Sequence, residues 1–426
     1  MSSTYEIWLT DDGGRRIALL SKPAFFSYSR TVAGFGTVML GFPYDEFVKQ
    51  VFPVFVPDRR VDIWRSPGFG IPLRRENTYL LRKPHIYTRE DSIKMITLYG
   101  RDLKDVLRRR YIIQPAGYSQ TLKNDYIDDM MKEIVREQML YGSALDENAA
   151  VDNTRAWPVD EFSVQGEMSL GPIIPATFPD RNVLDVLKEL HEASLQFHET
   201  DPLTYRRIYF DILPYEIQAK NIYILDEDGF PILDESGEPL LDESSPDTSA
   251  QQGLEFTTFA DLRGVDRTDS ALVFSLENGN IESPEYTINH LEEENVIIVK
   301  GFGRGDSRQV EVVQDTSRVN VSRWNRCEGM VDASTEPDQT RLADYAYPTL
   351  SKKAPEEEIN ATILNVPGGP NSPRSLYGVD WDLGDLLPVF YADKQFNVEV
   401  KIVYVAVDDQ GKETITGRNA ISGSDQ

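Results

Sequence analysis

A chain of 426 residues exceeds what one hydrophobic core serves, so it divides into roughly two to four domains. Its composition, 40% hydrophobic and 27% charged, is that of a folded soluble protein with at most local disorder. Its 44 Lys and Arg against 70 Asp and Glu leave a net charge of −26, which argues against a basic surface that grips nucleic-acid phosphates. No stretch approaches the ~20 apolar residues of a membrane span. The opening MSSTYEIWL lacks the basic-then-apolar build of a signal peptide. Cys327 is the only cysteine, so neither an internal disulfide nor a thiolate metal cluster is expected, and synthesis is expected in a reducing cytosol.

Residues 1–101 read as a β-domain. YEIWLTDDGGRRIALL is two short runs around Asp12-Gly13-Gly14, residues that supply the positive φ of a hairpin turn. FFSYSRTV, GTVMLGF, RVDIWR and SIKMITLYG follow as strands between Gly and Pro punctuation, a spacing that suggests a small barrel or sandwich.

The character changes over 102–270, read as an α+β middle domain. RDLKDVLRRRYII begins like a helix. NDYIDDMMKEIVREQMLYG is a firmer one, with Tyr126, Ile127, Met130, Met131, Ile134 and Val135 on one stripe, Asn124 as cap and Gly142 as stop. A third helix fits NVLDVLKELHEASL, capped by Asn182, and RRIYFDILPYEIQ reads as a strand. Within 222–250 an eight-residue unit recurs (ILDEDGFP, ILDESGEP, LLDES), which suggests an acidic hairpin insertion followed by a flexible tail. It copies the end of a calcium loop but places Ile224 or Ile232 at the first ligand position, so no calcium site is expected.

Residues 271–426 return to β-structure. ALVFSLENGNIESPEYTI and ENVIIVKGFGRGDSRQVEVVQD carry strands, and a helical segment is inserted at about 325–360, with Pro348 expected to end or kink its helix. In NVEVKIVYVAVDDQGKETITG, Val398, Val400, Ile402, Tyr404 and Ala406 are expected on one face, before a turn at Asp409-Gln410-Gly411.

Candidate chemistry is sparse. His85, His191, His198 and His290 are scattered, and the gap between His191 and His198 is not zinc-protease spacing. GFGRGD lacks the later Gly and the Lys-Ser/Thr of a phosphate loop and reads as a hairpin or bulge. No G-x-S-x-G nucleophile elbow is present. The basic runs RRENTYLLRK and LRRRY are expected to pair with acids within the chain or between subunits. In GVDWDLGDLL, Asp380, Asp382 and Asp385 stand close together. Asp380 and Asp382 share a face if the stretch is extended, as a glycosidase pair would require. The competing reading is a turn with Gly378 and Gly384 feeding a strand, its aspartates holding backbone N–H groups and facing water, with Trp381 as a packing residue.

Taken in order, several segments make a pattern. YSRTVAGFGTVMLGFP, LYGRDLKDVLRRRYI, VFSLENGNI with ENVIIVKGFGRGDSR, SRWNRCEGMVDAS and YGVDWDLGDLLPV run nearly end to end. The chain thereby resembles the tail-hub (baseplate hub) proteins of tailed bacteriophages, in the branch found at siphophage tail tips. The resemblance implies a fold that is mostly β, with two tube-like antiparallel β-barrels around an α/β middle domain. It implies a homotrimer whose six barrels match a sixfold tail tube on one side and a threefold tip or spike on the other. Distal tail and tail-tube proteins, a tip or spike protein and a tape-measure protein are the implied partners, in the virion. No catalytic, cofactor or metal residues carry over. Phage DNA would pass without specific binding, and acidic walls would let it slide. The alternative from a different class is a tail-tip carbohydrate-active enzyme using Asp380 and Asp382. A third is receptor binding through 222–250.

Overall fold

A computed structural model gives the fold. It describes residues 3–419 apart from 12–13, 15, 22, 53–54, 114–120, 142–154, 157–161, 179–180, 201–205, 217–251, 335–337 and 370–372. The acidic repeat 222–250 and Gly142 therefore lie outside the described residues.

Seven strands make the first block: β1 (Thr4–Thr10), β2 (Arg16–Leu19), β3 (Phe25–Thr31), β4 (Thr37–Pro43), β5 (Arg60–Ser66), β6 (Arg74–Thr88) and β7 (Lys94–Asp102). β1 and β2 form the expected hairpin. The long strand β6 contains the basic run RRENTYLLRK, where the sequence showed charge rather than apolar alternation. Its first part, Arg74 to Leu80, pairs with β5 and its remainder, Tyr79 to Thr88, with β7, which explains how so polar a segment becomes sheet: a neighbouring strand takes up its backbone hydrogen bonds all along its length.

The middle segment holds β8 (Thr121–Tyr126), β9 (Phe162–Val164), β10 (Ile173–Phe178), β11 (Ile208–Glu216) and β12 (Gln252–Ala260). The helix Ile127–Val135 buries the predicted apolar stripe from Ile127 onward, while Tyr126 is half-buried at the end of β8, and it continues as a π-helical turn, Arg136–Tyr141. Asn124 does not cap it. That residue is in β8 opposite Pro175, and the chain turns straight from strand to helix at Tyr126. Asn182 does cap the helix Val183–Thr200, its Oδ1 accepting from Leu184 N at 3.0 Å. These two helices pack on β11 and β12 around Met130, Met131, Leu187, Phe210 and Phe256.

The C-terminal block contains β13 (Phe274–Ser275), β14 (Ile281–Asn289), β15 (Val296–Lys300), β16 (Val310–Gln314), β17 (Glu328–Asp332), β18 (Glu356–Leu364), β19 (Leu386–Tyr391), β20 (Lys394–Glu399), β21 (Ile402–Val407) and β22 (Glu413–Arg418). GFGRGD is the connection of the β15–β16 hairpin. The helix Leu342–Lys352 runs through Pro348 instead of ending there. Its loss of one backbone bond is offset by packing of Leu342, Ala346 and Leu350 on β15. The run 398–406 is not one strand. The chain breaks at Val400–Lys401 and changes sheets, so Val403 and Val405 turn inward while Tyr404 is exposed.

Two closed barrels are not what the strand pairing shows. One open, antiparallel, eleven-stranded sheet runs β14-β18-β22-β21-β3-β4-β7-β6-β5-β1-β2, through both blocks. The join is β21 against β3, from Ile402 opposite Thr31 to Val407 opposite Phe26. Periodicity identifies strands but not their partners, and this pairing spans nearly the whole chain. Beneath it lies one shared core, in which Leu9, Leu40 and Val61 pack in the same cluster as Ile363, Trp381 and Val403.

Candidate functional site: a charged joint between the two β-blocks

The carboxylates of GVDWDLGDLL do not face an open cleft. Gly378 and Gly384, at φ +80° and +82°, turn the chain twice in the left-handed region that favours glycine. The turns place Trp381 inside the core, 0% exposed, with its indole N–H donating to Ser375 O at 3.2 Å. Asp380 takes two bonds from Arg374, at 2.9 and 3.0 Å, and accepts from Leu376 N at 2.9 Å. Asp385, 1% exposed, accepts from Val265 N, Asp382 N and Arg267 Nε at 2.6–2.8 Å. The expectation that the aspartates hold backbone is met; the expectation that they face water is not, because Arg30 and Arg74, from distant strands, cover Asp382, and Arg267, from the connection after β12, covers Asp385.

Asp382 is the most informative. Its Oδ1 accepts from Arg30 at 3.0 Å and its Oδ2 from Arg74 at 2.6 Å. Arg74 also donates to Glu76 at 3.1 Å, and Arg30 donates to the Tyr377 hydroxyl at 2.6 Å. Tyr377 in turn donates to Glu76 at 2.5 Å. Beside this cycle, Arg65 bonds Glu413 at 3.1 Å and the Tyr377 carbonyl at 3.2 Å. Strands β3, β5 and β6 of the first block are thus tied to the 374–385 loop and β22 of the C-terminal block.

The electrostatics follow from burial. Burial alone would raise the Asp382 carboxyl, but Arg30 and Arg74 override it and hold it below its ordinary value. Burial raises the Tyr377 hydroxyl well above its usual value, so it stays a proton donor. Next to the joint lies a cavity of about 350 Å³ lined by Arg30, Asp102, Lys104, Asp211, Arg263 and Leu383. Burial pushes Asp102 up to about 7 against the pull of Lys104, 3.9 Å away. Asp102 accepts from Gly36 N at 2.6 Å and Lys104 N at 3.1 Å.

The arrangement positions strands; it presents no free nucleophile or open carboxylate pair. The basic runs behave as expected within the chain: Arg74, Arg75, Arg82, Arg108 and Arg109 all pair with carboxylates of the same chain. His191 is buried against Ile208 O at 2.7 Å, His290 meets Glu293 at 2.9 Å, and His85 stacks on Tyr87. The side chain of His198 lies outside the described residues. Among the described residues no cluster of His, Cys, Asp and Glu could hold a metal, and no helix is long and apolar enough to cross a membrane.

Sequence reading missed Arg30, Glu76 and Tyr377 as site residues. A signal existed. Arg30, Gly36, Asp102, Tyr377 and Asp382 all sit in segments that carry the family resemblance, and those segments converge here although Arg30 and Tyr377 are 347 positions apart.

Among solved structures the chain is similar to the 43 kDa tail protein of prophage MuSo2 from Shewanella oneidensis (12% identity, TM-score 0.49, covering 97% of this chain and 98% of that one). It is similar also to the tail protein from Neisseria meningitidis MC58 (11%, 0.48, 99% and 98%). A third is prophage tail protein gp18 from Listeria monocytogenes EGD-e (8%, 0.44, 97% and 94%). No curated protein matches. The model of the family described as Siphovirus ReqiPepy6 Gp37-like protein matches residues 74–416, well over half of the chain. The expected siphophage assignment is borne out at this level: the chain belongs to the Siphovirus ReqiPepy6 Gp37-like family.

Proposed function

We propose that this protein is a structural, non-enzymatic component of the siphophage tail tip: a homotrimeric hub that joins a sixfold tail tube to a threefold tip or spike. The single observation that carries the reading is the joint. The β3–β21 ladder, the shared core and the Arg30–Glu76–Tyr377–Asp382 cycle fuse two β-blocks into one sheet. Three copies would present six such blocks, and a symmetry adaptor needs blocks that keep their relative position under load. Distal tail, tip and tape-measure proteins are its partners in this reading, and the residues 1–101, 102–270 and 271–426 are its domains. A large share of the −26 charge lines the channel and keeps DNA phosphates from sticking.

The competing enzyme needs Asp380 and Asp382 free to meet a glycan. Both are already occupied, one by Arg374 and the other by Arg30 and Arg74. Mass photometry of the purified chain tests the hub: a particle of three chains is expected, and a stable monomer at micromolar concentration counts against it. Labelled antibody on intact virions is expected at the tail tip. Turnover of host polysaccharide that is lost in Asp382→Asn would instead favour the enzyme.

A further inference from the structure

The SRWNRCEGM run takes no part in the joint. It connects the helix Thr316–Val319 to β17, and within it Trp324 is 86% exposed, with Val321 nearby at 74%. An indole on water is costly to maintain for packing reasons alone, and Trp is the side chain most enriched at binding hot spots.

The adjoining sheet, in the order β16-β15-β17, is covered on one face only. Ile297, Val299, Val313 and Val331 pack with Leu342, Ala346 and Leu350 of the helix Leu342–Lys352. Alternate residues point the other way. On that outer face the register aligns Val312, Ile298 and Met330 across all three strands, with Val310 in the next row. Met330, Val312 and Val310 are exposed, as is Phe302 in the β15–β16 connection.

This region does not share the acidic excess of the chain. Residues 296–334 hold six basic and five acidic side chains, while the chain as a whole stands at −26. Arg304 and Arg323 are exposed and form no ion pair among the described residues. Arg326 sits at the Trp324 end of the sheet, donating to Glu328 at 2.8 Å and Gln314 at 3.4 Å. Two copies of so acidic a chain repel one another over most of their surfaces. A contact between them is favoured where apolar surface is exposed, the local balance is not negative, and arginines can meet the acids of the other copy.

We propose that the outer face of the β15–β17 sheet, together with Val321 and Trp324, docks against an acidic surface of a second copy of this chain. The contact is head-to-tail, since an apolar face flanked by exposed arginines meets a different, acidic one, and such contacts build rings when the rotation closes. The inference rests on the self-associating hub reading and names the surface that self-association uses.

Sedimentation of the full chain over a concentration series tests it, with Trp324→Ser, Arg323→Glu and a control substitution at the exposed Ile86. Trp324→Ser and Arg323→Glu are expected to weaken association by roughly tenfold or more, with unchanged circular dichroism and melting temperature, while Ile86→Ser leaves it as in the wild type. Salt at 1 M, where the Debye length is about 3 Å, should weaken the wild type more than Arg323→Glu. Wild-type association retained by both variants overturns this surface and leaves the hub standing. A wild type that is monomeric throughout overturns both. Tighter association of Arg323→Glu would mean that the opposing surface is basic, which also overturns the proposal.

Discussion

The joint and the β15–β17 unit treat charge in opposite ways. At the joint, Arg65 and Glu76 are almost wholly enclosed, and every ion has a partner from another segment of the chain. In the small unit, Arg304 and Arg323 lie on the surface beside uncovered valines and a tryptophan. Enclosed ions lose hydration that only well-placed partners replace, so they act as locks: correct when all members are present, costly when one is missing. Surface ions cost little either way and are free to meet a partner. The first region fixes the chain's own geometry; the second has the makings of an interface.

The contrast can be broken most forcefully at Trp381. Trp381→Ala removes a ring packed against Tyr377, with centroids 5.2 Å apart, and opens a cavity where the two blocks share their core. A loss of about 3–5 kcal/mol is expected in urea unfolding. Glu76→Ala takes the acceptor from the Tyr377 hydroxyl and leaves Asp382 as the one carboxylate of this cycle for both Arg30 and Arg74, and about 3 kcal/mol should go. The double replacement Arg30→Met with Glu76→Met should cost less than the sum of its parts; strict additivity would mean that the two side chains do not act together.

A smaller effect is expected from pH. The folded chain holds the Asp102 proton more tightly than the unfolded chain, with a folded value of about 7 against about 4. This group's contribution is therefore complete below about pH 4 and is lost as pH rises through about 7. Between pH 5 and pH 8 the wild type should lose about 1–3 kcal/mol relative to Asp102→Asn; parallel profiles would contradict it. Asp382 has the opposite sign, its contribution being lost as pH falls below the ordinary carboxylate range. The smallest change in stability belongs to Met330→Ser on the outer face of the small unit, within about 0.5 kcal/mol of the wild type. A larger loss there would mean that the face is covered within the chain.

Much of the local structure was legible. The β1–β2 hairpin, the stripe of the helix Ile127–Val135, the Asn182 cap and the glycine turns around Trp381 all follow from short-range rules. The misreadings occurred where tertiary partners overrode a local pattern. Asn124 became strand because Pro175 lay opposite, and Pro348 stayed inside a helix packed on β15. The strand in RRENTYLLRK went unread, because its partners β5 and β7 and not its own pattern make it sheet.

The sequence by itself determined the acidic balance, the strand-rich composition, the absence of a cysteine framework and the family, because these are properties of residue type and order. Only the tertiary structure decided that β21 would pair with β3, that Arg30 would reach Tyr377 and Asp382, and that each of the three aspartates would meet an arginine. A carboxylate has the same formula whether paired or free. Which cation arrives beside Asp382 is set by a contact between residues 352 positions apart.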